Sequence, residues 1–169
     1  FGYPVHKDTH PNERFVGKTA VLGCGYQCGA AKFQHMLKVD SRRYGIPLED
    51  QSLMFAERVV NTFREKNRAI KSFWYKAEEA LTWLSSGLDG RLGPYIVKDY
   101  RLWLPNGDYL YYPDLRYLPK DAAGGMGCEW SYQRVRHGRV MREKLYGGKF
   151  VENITQAVAR LFVSESLLR

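Results

Sequence analysis

Long apolar runs are missing from this sequence. No stretch reaches the about 18 consecutive apolar residues that a membrane-crossing helix needs, so no membrane partner is expected. A secretory leader is missing too. The chain begins Phe1-Gly2-Tyr3-Pro4 without an initiator Met, which reads as an excised or truncated piece. Cysteine is scarce, with Cys24, Cys28 and Cys128 alone. An odd count with no secretory signal argues for a reducing, intracellular setting. A structural zinc site takes four ligands. None of the histidines (His6, His10, His35, His137) lies four residues from Cys24 or Cys28, so no metal site is read here and the thiols read as free and buried. Internal repeats and low-complexity tracts are also absent.

What is present is enough for a packed core. Of the 169 residues, 44% are hydrophobic and 14% aromatic, which excludes a wholly disordered tail. Lys and Arg total 26 against 18 Asp and Glu, a net charge of +8. That balance favours a polyanionic partner such as nucleic acid or nucleotide phosphates.

Patterning divides the chain in two. Thr9, with Pro11, Asn12 and Glu13 behind it, reads as the cap and first turn of a helix over 11–27, with Phe15, Ala20, Val21 and Leu22 as its apolar positions. Gly23, Gly25 and Gly29 interrupt this region at a cost of roughly 1 kcal/mol each within a helix, which close approach of another group to the backbone would explain. A helix over 29–40 and a basic connector over Arg42–Pro47 follow. Ala56, Val59, Val60, Phe63, Ile70, Phe73, Trp74, Ala77, Leu81 and Leu84 then recur at helical spacing, with Trp83 beside them as a packing residue. No Gly or Pro falls between Leu48 and Ser86, so this is one long helix or two with a subtle break. Gly90, Gly93 and Pro94 mark a boundary. Beyond it, Asn106-Gly107 between aromatic runs predicts a hairpin within 95–112. Residues 120–127 read as loop, and 129–136 with 139–145 as a second hairpin turning at His137-Gly138. A last helix starts near Tyr146-Gly147-Gly148, with Ile154, Val158, Leu161 and Phe162 on its apolar side. The expected fold is α+β, mainly α, with domains over 1–90 and 91–169.

Arg14, Lys18, Leu22 and Tyr26 each lie four residues from the next. On a continuous helix each step drifts only about 40°, so all four would share one strip about 18 Å long. Two cations sit toward the helix N-terminus, where the macrodipole also favours phosphate. Arg grips phosphate oxygens bidentately and Lys supplies a mobile charge. A ring at the far end can stack on a base. Gly17-Lys18-Thr19 is not a phosphate-binding P-loop, because Asn12 stands where its first glycine is needed and no strand precedes it.

The string Arg14-Phe15-Val16-Gly17-Lys18, with Leu22 and Gly25-Tyr26 after it, resembles motif B of the family A DNA polymerases (the bacterial DNA polymerase I type). Gly17-Lys18-Thr19-Ala20-Val21-Leu22-Gly23-Cys24-Gly25-Tyr26 is similar to the bacteriophage branch. So is the segment running from Tyr146-Gly147-Gly148-Lys149-Phe150 through Glu152, Asn153 and Gln156. The two motifs are in the right order and span nearly the whole chain.

The resemblance implies a fingers subdomain over 1–90 and a partial palm over 91–169, in which small antiparallel hairpins precede a long helix. Arg14 and Lys18 would bind the triphosphate of an incoming dNTP, and Lys18 would also give a proton to the departing pyrophosphate. Leu22 would meet its sugar and base, and Tyr26 would police the new base pair. Glu152, Asn153 and Gln156 would face the primer–template minor groove. The implied cofactor is Mg2+, held by aspartate motifs that would precede Phe1 and follow Arg169. Asp99, Asp108, Asp114 and Asp121 lack that motif context and read as turn and surface residues, so this piece is not expected to polymerise alone. A monomer working in the cytoplasm of a bacterial host follows from the same resemblance. Three positions depart from the pattern: Gln27 for the glycine after Tyr26, Leu22 for an aromatic, and Leu161 for an aspartate after Ala159-Arg160. Two other readings remain, a non-enzymatic basic nucleic-acid-binding domain and a degenerate prophage relic. The former leaves unexplained the four-residue ladder joined to the Gln156 segment.

Overall fold

A computed structural model describes residues 1–119 and 128–167 of the chain. Five helices and two small antiparallel sheets make an α+β fold that is mainly α, as the patterning predicts. The loop read over 120–127, Asp121 included, lies outside the described residues. Among them no helix is long and apolar enough to cross a membrane.

Two compact units result, Phe1–Ser72 and Phe73–Arg169. They divide inside a helix, earlier than the glycine-rich boundary near residue 90, which marks only the change from helix to strand.

The first unit contains α1 (Pro11–Cys24), α2 (Ala30–Tyr44), α3 (Leu53–Lys66) and the start of α4 (Arg68–Ser86). The core-facing stripe of α1 is Val16, Thr19, Ala20, Gly23 and Cys24, at the i, i+3, i+4 spacing of one helix face. Val21 and Leu22, two of the apolar positions of the sequence pattern, are 64% and 60% exposed. Thr9 does not cap α1. The N-cap is His10, and the Thr9 hydroxyl instead bonds His10 Nδ1 at 2.8 Å. Gly23 has the internal explanation its cost calls for, since a Cβ there would press on the Met36 side chain of α2 at 3.3 Å.

Helix α2 runs four residues past its predicted end and absorbs Arg42 and Arg43. It stops at Gly45, whose φ of +64° lets Ile46 N–H reach back to Ser41 O at 2.9 Å. Ser52 caps α3 by accepting from Phe55 N–H at 3.1 Å. The subtle break in the long helical stripe is Asn67. Its side-chain amide donates to Phe63 O at 2.9 Å and competes with the helical ladder, so α3 ends there and α4 begins anew. Arg64 Nη2 donates to Cys28 O at 3.3 Å, which ties α3 to the turn between α1 and α2.

In the second unit, Trp74, Ala77, Ala80, Leu81 and Leu84 of α4 are buried. Most of them join one core with Leu92, Val97, Leu102, Leu145, Phe150 and Ile154. Four short strands form a meander, β1 (Gly90–Leu92), β2 (Tyr95–Lys98), β3 (Arg101–Trp103) and β4 (Tyr109–Tyr111), in sequential order. Asn106-Gly107 sits in the β3–β4 turn, as predicted. A second sheet pairs β5 (Arg116–Pro119), which the sequence reading missed, with β6 (Cys128–Arg136) and β7 (Arg139–Leu145). His137 and Gly138, at φ of +50° and +73°, make the predicted β6–β7 turn. Helix α5 (Gly147–Leu167) closes the unit. Its Ile154 is buried, but Phe162, placed on the apolar side by sequence, is 68% exposed. Helical spacing identifies a face but not where along the helix its covering ends.

Candidate nucleotide site

In the first unit the core-facing stripe of α1 leaves Arg14, Lys18 and Leu22 on the solvent side. They line one cleft of about 480 Å³ together with Lys7, Asp40 and Tyr44, among others. That volume lies within the range of small-molecule sites. Arg14 to Leu22 spans about 12 Å of helix rise. Neither cation forms an ion pair among the described residues. Three cations face one carboxylate across this cleft, a balance suited to an anion.

Tyr26 is not among the residues that line this cleft. Helix α1 ends at Cys24, and Gly25, Tyr26 and Gln27 form the turn beyond it. Gln27 takes a left-handed φ of +66°, while Cys28 N–H bonds Gly23 O at 3.3 Å. This closing geometry brings Cys28 back beside Cys24 in the core, and Tyr26, half-buried in the turn, does not line the cleft. The aromatics that line the cleft are Phe15, half-buried on α1, and Tyr44, which is exposed. Sequence reading missed Tyr44 by placing it in a connector. The available signal was the four-residue spacing of Asp40 and Tyr44, both of which the longer α2 carries into the cleft.

Cys24 and Cys28 are buried and free. Burial, with the neighbouring Cys28 thiol adding to it, pushes the Cys24 thiol up to about 11, and burial raises Cys28 as well. Neither is poised as a thiolate nucleophile or ligand.

The residues read as primer–template contacts lie on α5 in the second unit. Asn153 Nδ2 donates to the Tyr112 hydroxyl at 2.9 Å. Burial raises the Tyr112 phenol well above its ordinary value, so the hydroxyl stays protonated. Glu152 accepts from Lys149 Nζ and from Gln156 Nε2, both at 3.1 Å. Gln156 itself is exposed. Asp114, read as a turn and surface residue, lies in the turn before β5 and is also a hub. It bonds Arg116 Nε at 2.6 Å, Arg142 Nη1 at 2.8 Å and Gln133 Nε2 at 3.0 Å. Among the described residues no three His, Cys, Asp or Glu side chains gather as metal ligands.

Aligned over the full length of this chain, a DNA polymerase of Bacillus phage SP02 is 28% identical across 181 residues. The chain spans 26% of that protein's length. No protein-family model and no solved structure matches. The chain is thus similar to one segment of a phage DNA polymerase.

Proposed function

We propose that this chain is the nucleotide-gripping segment of a template-directed DNA polymerase of family A. The observation that carries the reading is Arg14, Lys18 and Leu22 lining one cleft on α1, with both cations free of ion pairs among the described residues. A dNTP laid along α1 places its triphosphate between Arg14 and Lys18, near the positive end of the helix dipole. Leu22 then offers an apolar surface to the sugar and base, and Tyr44 or Tyr26 offers a ring. Positioning and charge neutralisation dominate phosphoryl transfer. Within that scheme Lys18 Nζ gives its proton to the departing pyrophosphate. Gln156, with Glu152 and Asn153 beside it, faces the primer–template. Mg2+ neutralises the transferring phosphates in polymerases of this kind. The described residues supply no ligand set for it, and none of these roles passes through it.

The test is binding of a fluorescent dNTP to the 169-residue chain. Arg14→Ala and Lys18→Ala are each expected to weaken binding by roughly tenfold or more, the scale of a charge-assisted contact. Affinity should fall in the order triphosphate, diphosphate, monophosphate, nucleoside. Tyr44→Ala and Tyr26→Ala decide which ring meets the base. Equal affinity for nucleoside and triphosphate would remove the assignment. Duplex binding that ignores Arg14 and Lys18, with no nucleotide bound, would mark a non-enzymatic nucleic-acid-binding domain instead. In a polypeptide that also carries the metal-binding aspartates, Lys18→Ala should slow primer extension sharply while primer–template affinity holds.

A further inference from the structure

The outward face of the four-stranded meander carries a cluster of rings and cations, of which Trp103 Nε1–H donates to Lys98 O at 3.2 Å and Arg91 Nε–H to Gly93 O at 3.1 Å. Strand register sets Arg91, Ile96, Trp103 and Tyr109 in one cross-strand row. A second row on the same face is Lys98, Arg101 and Tyr111. The alternate positions Leu92, Val97 and Leu102 are buried in the core, so the two rows lie on the opposite, solvent side. Tyr109 and Tyr111 are 49% and 54% exposed. Trp103 and Tyr109 lie 5.2 Å apart between ring centroids, and the Arg101 guanidinium stands 4.8 Å over the Tyr109 ring. Arg101 Nε–H is itself buried and has no acceptor among the described residues, which leaves the outer guanidinium nitrogens as the donors a ligand could meet.

No carboxylate occupies either row. Asp99 lies in the β2–β3 turn, and Asp108 lies in the β3–β4 turn, where its Oδ2 accepts from Asn106 at 2.7 Å. An apolar protein partner would bury three cations without counter-charges, which is costly. A duplex keeps its base faces stacked inside and offers nothing to the rings. A single strand offers both what the rings and what the cations need, since bases stack on aromatics at any sequence and phosphates pair with Lys and Arg.

We propose that this face binds single-stranded DNA, with bases stacked on Trp103, Tyr109 and Tyr111 and phosphates held by Arg91, Lys98 and Arg101. The platform stands on the geometry of the second unit alone. The choice of DNA over RNA rests on the polymerase reading.

The test is fluorescence anisotropy of labelled oligo-dT, oligo-rU and duplex DNA with the full chain over a salt series. Tyr109→Thr/Tyr111→Thr keeps residues that suit a strand and is expected to weaken oligo-dT binding by at least about tenfold. Tyr109→Phe/Tyr111→Phe, which keeps the rings, should retain affinity, and thermal melting of each variant checks the fold. Lys98→Ala should lower the slope of log affinity against log salt by about 0.7. Arg14→Ala/Lys18→Ala should leave oligo-dT binding unchanged, so failure of the nucleotide site and failure of this platform are read separately. Unchanged oligo-dT affinity in the threonine double variant overturns the proposal. So does tighter binding of duplex or oligo-rU than of oligo-dT.

Discussion

Asn153 of α5 donates its side-chain amide to the Tyr112 hydroxyl at 2.9 Å, just beyond the end of β4. Tyr112 is 7% exposed and meets Phe150 and Tyr132 edge-on, with centroids 5.5 Å and 5.0 Å away. Asn153→Ala strands a buried hydroxyl and should cost about 1–3 kcal/mol, whereas Tyr112→Phe should cost about 0.5–1.5 kcal/mol. The double variant should cost less than the sum of the two singles, because either single change already removes the bond. Urea unfolding of the four proteins measures this. Additive costs would show that the pair contributes nothing as a pair.

Gln27 holds a φ of +66° at the turn that ends α1. A side chain in the left-handed region costs about 1–2 kcal/mol that glycine does not incur. Glycine recovers part of this and loses some to unfolded-chain entropy, so Gln27→Gly should stabilise the chain by about 1 kcal/mol. Gln27→Val should do the opposite. The denaturation midpoint reads both, and a destabilised glycine variant would mean that Gln27 earns its place through its side chain.

Two helical glycines should respond to alanine with opposite sign. A Cβ at Gly147, where α5 begins, would collide with the backbone carbonyl of Trp74, which has little room to move. Gly147→Ala should therefore cost about 1–3 kcal/mol or more. A Cβ at Gly17 in α1 meets nothing within 4 Å, so Gly17→Ala should gain about 0.5–1 kcal/mol. Thermal unfolding of the two variants side by side is the check, and matching signs would refute the packing argument.

Asp114 gives the fold an acid-sensitive clasp. The Arg142 hydrogen bond, helped by Arg116, holds its carboxyl below the ordinary value of 3.8. The contribution is therefore complete above 3.8 and is lost as pH falls through the lower native value. Asp114→Asn should lower the melting temperature at neutral pH, and the gap to the parent should close in acid. A gap that persists in acid would mean that shape, not charge, matters at this position.

Much of this was legible from residue order. Ala77, Leu81, Leu84 and Ile154 are buried where helical spacing put them, and His137-Gly138 turns the second hairpin. Arg14, Lys18 and Leu22 face one cleft because four-residue spacing fixes a helix face whatever lies around it. What spacing could not supply was where helices stop. Tyr26 lies two residues past the end of α1, in the turn that Gln27 closes, and does not line the cleft. Tyr44 looked like connector because only the longer α2 gives it a face. The role of Asn153 was hidden for a different reason. Its partner Tyr112 is 41 residues away, and no local pattern encodes so distant a pairing.

Every strand pairs with its immediate neighbour in the chain, β1 to β4 in one sheet and β5 to β7 in the other, with no crossover. Contacts between sequence neighbours are the kind that form fastest, since little loop entropy is spent before each pairing is rewarded. Each sheet can therefore zip up hairpin by hairpin as the polypeptide leaves the ribosome, each strand meeting its partner as soon as the next strand emerges.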